Sequence, residues 1–224
     1  MQLGNLLLFI MTLFYCMCFV MIFGVLPLLY FFIAKRKFAS KLKAILPFLV
    51  LVFVASIYEI IFTVLLRWQV NYWLIIHDVC SFFCVYFFYS TILEKKYYLL
   101  LSIFLFCFLL LIFFLFANYS INDFPSIVNY ITMYTTVFIL FFTALWFVKI
   151  IKEGQIEDLL SESTFYFITG FILYHCGTLF TVILAEYIFT YHSSILKMYT
   201  INMIIFVLTL RTLLLVGLWK VRVN

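Results

Sequence analysis

The sequence predicts an all-α protein, a polytopic transmembrane bundle of seven helices with the amino terminus outside and the carboxyl terminus in the cytoplasm. Three observations carry this prediction. Of 224 residues, 68% are apolar and only 10% are charged, against about 25% charged in an average soluble domain. The mean hydropathy is +1.25, more apolar side chain than a soluble fold of this length can hide. Finally, the polar residues fall into short clusters that cut the chain into apolar runs of membrane-spanning length. The same numbers exclude disorder, which requires abundant charge and few aromatics. They also argue against nucleic acid as a partner, because the net charge of +5 comes from scattered lysines and not from one dense basic face.

Taken in order, the elements are set by their polar punctuation. Met1-Gln2-Leu3-Gly4-Asn5 carries no basic residue, which a cleavable secretory signal requires. The first span, 6–34, is therefore expected to be a retained helix, with Pro27 as a candidate kink. It ends at Lys35-Arg36-Lys37. The second span, 45–66, ends at Arg67-Trp68-Gln69, and the third, 72–93, at Glu94-Lys95-Lys96. The fourth, 97–117, ends at Asn118-Tyr119-Ser120, and Pro125 is read as part of the outer loop that follows. The fifth covers 128–148. A polar stretch from Lys149 to Thr164 comes next, within which Gln155–Leu160 is expected to form a short surface helix. The sixth and seventh spans are 165–189 and 198–219. All of this is read as one domain, residues 1–224.

Lysine and arginine set the orientation, since they accumulate on the cytoplasmic side. With the amino terminus outside, eleven basic residues lie in inner loops, two (Arg67 and Lys197) in outer loops, and Arg211 within a span. The loops are too short to hold a folded soluble domain, so recognition is confined to the membrane, its faces, or a partner.

Thirty-one Phe and sixteen Tyr read as lipid-facing filler and not as a cofactor box. Cys16, Cys18, Cys80, Cys84, Cys107 and Cys176 all fall within spans. They are taken for small apolar packing residues, with no disulfide framework, no metal and no cofactor.

Ionisable groups inside a span are costly, about 2.5–3.5 kcal/mol at the centre, and mark the place to look for function. Here they are Glu59, His77, Asp78, His175, Glu186 and Arg211. At 1.5 Å per residue, Glu59 lies ~12 Å and Asp78 ~9 Å below the outer face. Glu186 lies near the outer end of the sixth span, and His175 near its middle. Glu59, Asp78, His175 and Glu186 are thus predicted to line a polar cavity in the outer half. His77 and Asp78 are adjacent and are expected to point apart, so that both do not serve one site. Arg211 has no acidic residue at its depth and is expected to snorkel toward the inner headgroups. Gly170, Tyr174 and Gly177 recur on one face of the sixth span and are assigned to a close helix interface.

Enzyme signatures are missing: the sequence has neither a Gly-x-Ser-x-Gly turn nor a His-Glu-x-x-His helix. Glu59-Ile60-Ile61-Phe62-Thr63 and Glu186-Tyr187-Ile188-Phe189-Thr190 hint at parallel repeats around the fourth span. That is the three-one-three plan of small carriers. Scarce glycine and proline (6 and 3) favour a static bundle over alternating access.

Phe165-Tyr166-x-Ile168-x-Gly170, Asn202, Gly217-x-Trp219-Lys220 and Glu59 together resemble small uncharacterised seven-helix inner-membrane proteins of bacteria. The layout is also similar to the seven-helix sensor halves of histidine kinases. The resemblance implies sensing or scaffolding, and with the sequence ending at Asn224 output is expected to pass through a partner subunit. The expectation is therefore a non-catalytic, multi-pass inner-membrane protein that binds a ligand or partner from the outer half. Its partners would be the bilayer and either a second membrane protein or another copy of itself. The alternatives are a small carrier and a lipid-modifying intramembrane enzyme.

Overall fold

A computed structural model describes residues 15, 19–33, 40–59, 61–62, 66, 71–120, 123–152, 154, 159–191 and 196–223. Among these residues the fold is all-helical, with no strand. Seven α-helices follow one another: α1 Phe19–Ile33, α2 Leu46–Tyr58, α3 Asn71–Ile92, α4 Tyr98–Asn118, α5 Phe124–Lys152, α6 Ser163–Tyr191 and α7 Leu196–Val223. Short 3-10 turns at Ser40–Ala44 and Lys95–Tyr97 lead into α2 and α4. Four helices among the described residues are long and apolar enough to cross a membrane: Tyr72–Ile92, Lys95–Asn118, Phe124–Lys152 and Ile201–Val221. These mark a membrane protein.

The prolines sit where a helix tolerates them. Pro47 is in the first turn of α2, where a missing N–H costs nothing. Pro125, expected in a loop, is instead in the first turn of α5 for the same reason, and the helix starts earlier than its apolar run. The Gln155–Asp158 part of the expected surface helix lies outside the described residues, as does most of the chain before α1.

α6 packs along α7 more extensively than any other pair, and on its other side meets α5. α5 packs on α3, and α3 on α2, while α4 flanks α3 and α5. On α4 only Leu101, Phe108 and Leu115 are buried. That spacing of seven is one narrow stripe; Leu99 and Phe113 are 75% and 74% exposed and face outward.

The aromatics are not all lipid-facing filler, contrary to the sequence expectation. Phe82, Phe108, Phe138 and Phe142 are fully buried where α3, α4 and α5 meet. The Phe82 and Phe108 rings stack at 3.7 Å. In lipid, helices gain little by hiding apolar surface from one another, so close packing and interhelical hydrogen bonds hold them together. Two such bonds anchor this core: Tyr134 Oη donates to the Phe104 carbonyl at 2.6 Å, and Tyr89 Oη pairs with Thr143 Oγ1 at 2.6 Å.

Candidate functional site

Lys96, Lys149 and Lys152 gather at one end of α3 and α5. Lys149 Nζ, near the end of α5, donates to the Ile92 carbonyl at the end of α3 at 3.5 Å, so these helices run in the same direction. Beside them Lys96 Nζ donates to Glu94 at 2.8 Å. That bond, helped by the nearby Lys149 and Lys152, holds the Glu94 carboxyl below the usual carboxylate range.

Near the opposite end, the helices enclose a partly open cavity of about 230 Å³. α3 contributes Trp73, His77, Asp78 and Ser81 from its early turns, and α5 contributes Val128, Thr132 and Thr135. Tyr174, His175 and Thr178 come from the middle of α6, and Met203 and Val207 from the start of α7. Glu59 closes the ring from α2. Regular helix in α2 stops at Tyr58. Glu59, Ile61 and Phe62 belong to a wider π-type turn, in which the Leu66 N–H donates to the Ile61 carbonyl at 3.0 Å. Wide turns of this kind cluster at functional positions. Tyr58 stacks on Trp73 at 4.1 Å with 14° between the rings, and on Phe62 at 4.6 Å. This pile fixes the wall where α2 meets α3.

Asp78 is held from two sides. Thr132 Oγ1 on α5 donates to its Oδ2 at 3.1 Å, and Nδ1 of His77 pairs with its Oδ1 at 3.1 Å. The expectation that His77 and Asp78 serve different surfaces is therefore wrong. Adjacent helical residues do diverge, but the cavity spans the junction of α3 with both α2 and α5 and is wide enough to take both.

His175 is only 5% exposed. Among the described residues neither of its ring nitrogens has a hydrogen-bond partner, although its backbone carbonyl accepts from Thr178 Oγ1 at 3.2 Å. An unsatisfied buried polar group costs about 1–3 kcal/mol, and this one lies on the wall of a cavity.

Arg211 does not snorkel toward the inner headgroups. It is 5% exposed, donates to the Val20 carbonyl of α1, and lies within electrostatic reach of Glu59 and Tyr174. Gly24 makes room for it: a Cβ there would collide with Ser56 Oγ and meet Arg211 Cζ at 2.9 Å.

Of the four predicted cavity residues, Glu59, Asp78 and His175 line the same cavity; the side chain of Glu186, on α6, lies outside the described residues. Gly170 and Gly177 both back onto α7, against Leu210 and Phe206 respectively. Tyr174, assigned with them to the interface, lines the cavity. The sequence reading passed over Trp73, Ser81, Thr132 and Thr135. The threonines left a readable signal, Thr132-x-x-Thr135-Thr136 at helical spacing in an apolar run.

Two carboxylates, five hydroxyl-bearing side chains and two imidazoles make a site for a solute that hydrogen-bonds. Among the described residues no three His, Cys, Asp or Glu side chains converge to hold a metal ion. The chain matches no protein-family model, no curated protein and no solved structure with which it was compared.

Proposed function

We propose that the chain is a multi-pass protein of the bacterial inner (cytoplasmic) membrane that performs no catalysis itself. It binds a small solute from the outer side and acts as a sensor-like or accessory subunit. Its output passes to a membrane-protein partner or a second copy of itself. One observation carries the reading: His175 is buried on the wall of a cavity with both ring nitrogens unpartnered among the described residues. A bound solute would supply the missing hydrogen bond. Carboxylates, imidazoles and hydroxyls from the α2, α3, α5 and α6 segments converge on the same space, and α7 closes it with apolar side chains, so a solute there touches every helix from α2 to α7 except α4. The cavity is smaller than the roughly 300–1,000 Å³ of sites for drug-sized molecules, which favours a small solute.

The test uses the purified chain in lipid nanodiscs, heated with a panel of small polar solutes. A ligand at 100 times its Kd stabilises the folded state by about 2.7 kcal/mol. At least one solute class should raise the unfolding midpoint. Thr178→Phe, which fills the cavity, should abolish that rise without changing the midpoint of the empty protein by a comparable amount. A flat response across amines, acids, alcohols, sugars and amides would sink the reading.

A further inference from the structure

We propose that the solute is a small organic ammonium ion, held by Asp78 against the Trp73 wall with its other end hydrogen-bonded to His175. This rests on the solute-binding reading of the cavity and adds the chemical class.

The argument begins with the charges that face the cavity from each element. α2 brings Glu59, α3 brings Asp78 with His77 beside it, and α6 brings His175 and Tyr174. α5 brings hydroxyls only, and α7 brings the apolar Met203 and Val207. The lining thus holds two carboxylates and, among the described residues, no lysine or arginine. Arg211 stands outside the lining, within electrostatic reach of Glu59, so the carboxylate assigned to the solute is Asp78. Thr132 and His77 occupy one position on each of its oxygens. A carboxylate offers about four acceptor positions, so acceptor capacity remains for a donor in the cavity.

Carboxylates lining a cavity in an apolar bundle, with no lysine or arginine beside them in the lining, call for a cation. Its nature follows from the wall. A zinc-like metal ion would need three or more His, Cys, Asp or Glu side chains together, and no such group converges among the described residues. An organic ammonium needs fewer fixed contacts, and the face of an aromatic ring favours it. Trp73 lines the cavity and is held in place by the Tyr58 ring stacked on it at 4.1 Å. His175, both of whose nitrogens are free to pair, lies on α6, across from Asp78 on α3. In its neutral form it offers one donor and one acceptor, suited to a hydroxyl or a second amine at the far end of the solute.

The test compares ethanolammonium and propylammonium with two size-matched solutes, neutral 1-propanol and anionic propionate. Each is titrated calorimetrically into the full chain in nanodiscs at pH 7. Both ammonium probes should bind saturably, ethanolammonium the tighter, and neither comparison solute should bind within tenfold of them. Asp78→Asn, which keeps an acceptor for Thr132, should weaken ammonium binding at least tenfold. The comparison among probes runs on the unaltered chain, so it does not depend on how the variant folds. Binding of propanol or propionate as tight as that of the ammonium probes, lost in Thr178→Phe, would overturn the ammonium inference and leave the cavity reading standing. No binding by either ammonium probe would also overturn it. If the wider solute panel is silent as well, both readings fall.

Discussion

Arg211 reaches its partners because side chains on a helix lean toward the helix amino terminus. On α7 that direction leads toward the cavity, so the guanidinium meets the Val20 carbonyl and the field of Glu59. A charge buried this way is expensive to leave alone, and removing one partner strands the other. Glu59→Gln and Arg211→Met should therefore each destabilise the protein, and the double variant should lose less than the two losses together. The expected coupling is about 0.5–3 kcal/mol, the range for residues that share a network, read from unfolding of the four proteins in bicelles. Strict additivity would show that the two charges do not sense each other. The residues that could bear function were legible in the sequence, since an acid, a base or a histidine stands out in an apolar run. Their partners were not. Depth counted along the chain places the Cα atoms, and Arg211 acts one long side chain away from its own.

At the scale of elements, the α6–α7 pair shows how glycine sets helix separation. A Cβ on Gly177 would run into the Phe206 ring, whereas one on Gly170 would meet Leu210 Cδ1 at 3.3 Å and Leu213 Cβ at 3.4 Å. The second contact needs only a small adjustment of side chains, and the first needs an aromatic ring to leave its place. Overpacking that forces such shifts typically costs about 1–3 kcal/mol. Gly177→Ala should fall in that range, and Gly170→Ala well below it, by thermal unfolding in detergent micelles. Equal gains at the two sites would mean that the helix propensity of alanine, not contact with α7, governs both. The sequence pattern revealed this stripe because its spacing is periodic. It did not reveal the end of regular helix at Tyr58. Hydropathy continues unbroken through Glu59-Ile60-Ile61-Phe62, and a wide turn leaves the apolar pattern intact while changing which way Glu59 faces. Helix starts were misplaced for a related reason: Pro125 marks a break in composition but is well accommodated in a first turn.

Across the whole molecule, two ends of different chemistry follow from one packing arrangement. α3 and α5 run together, as the bond from Lys149 to the Ile92 carbonyl requires. Their early turns therefore share the cavity, and their last turns share the cluster of Lys95, Lys96, Lys149 and Lys152. The cavity carries acids and the far end carries bases. Basic residues favour the cytoplasmic side, so the expected placement turns the cavity outward, where a solute would reach it without crossing the bilayer. Fusions expressed in a bacterial host test this directly. Alkaline phosphatase joined after Ser120 should be active, because the segment between α4 and α5 would lie outside. A fluorescent protein that folds only in the cytoplasm should glow when joined after Lys152, and phosphatase at that position should be silent. The reverse pattern would put the cavity on the cytoplasmic face, and its solute would then come from inside the cell. Equal signals at both positions would mean that α5 does not cross the membrane, despite its 29 residues, and the outward-facing cavity would have to be abandoned.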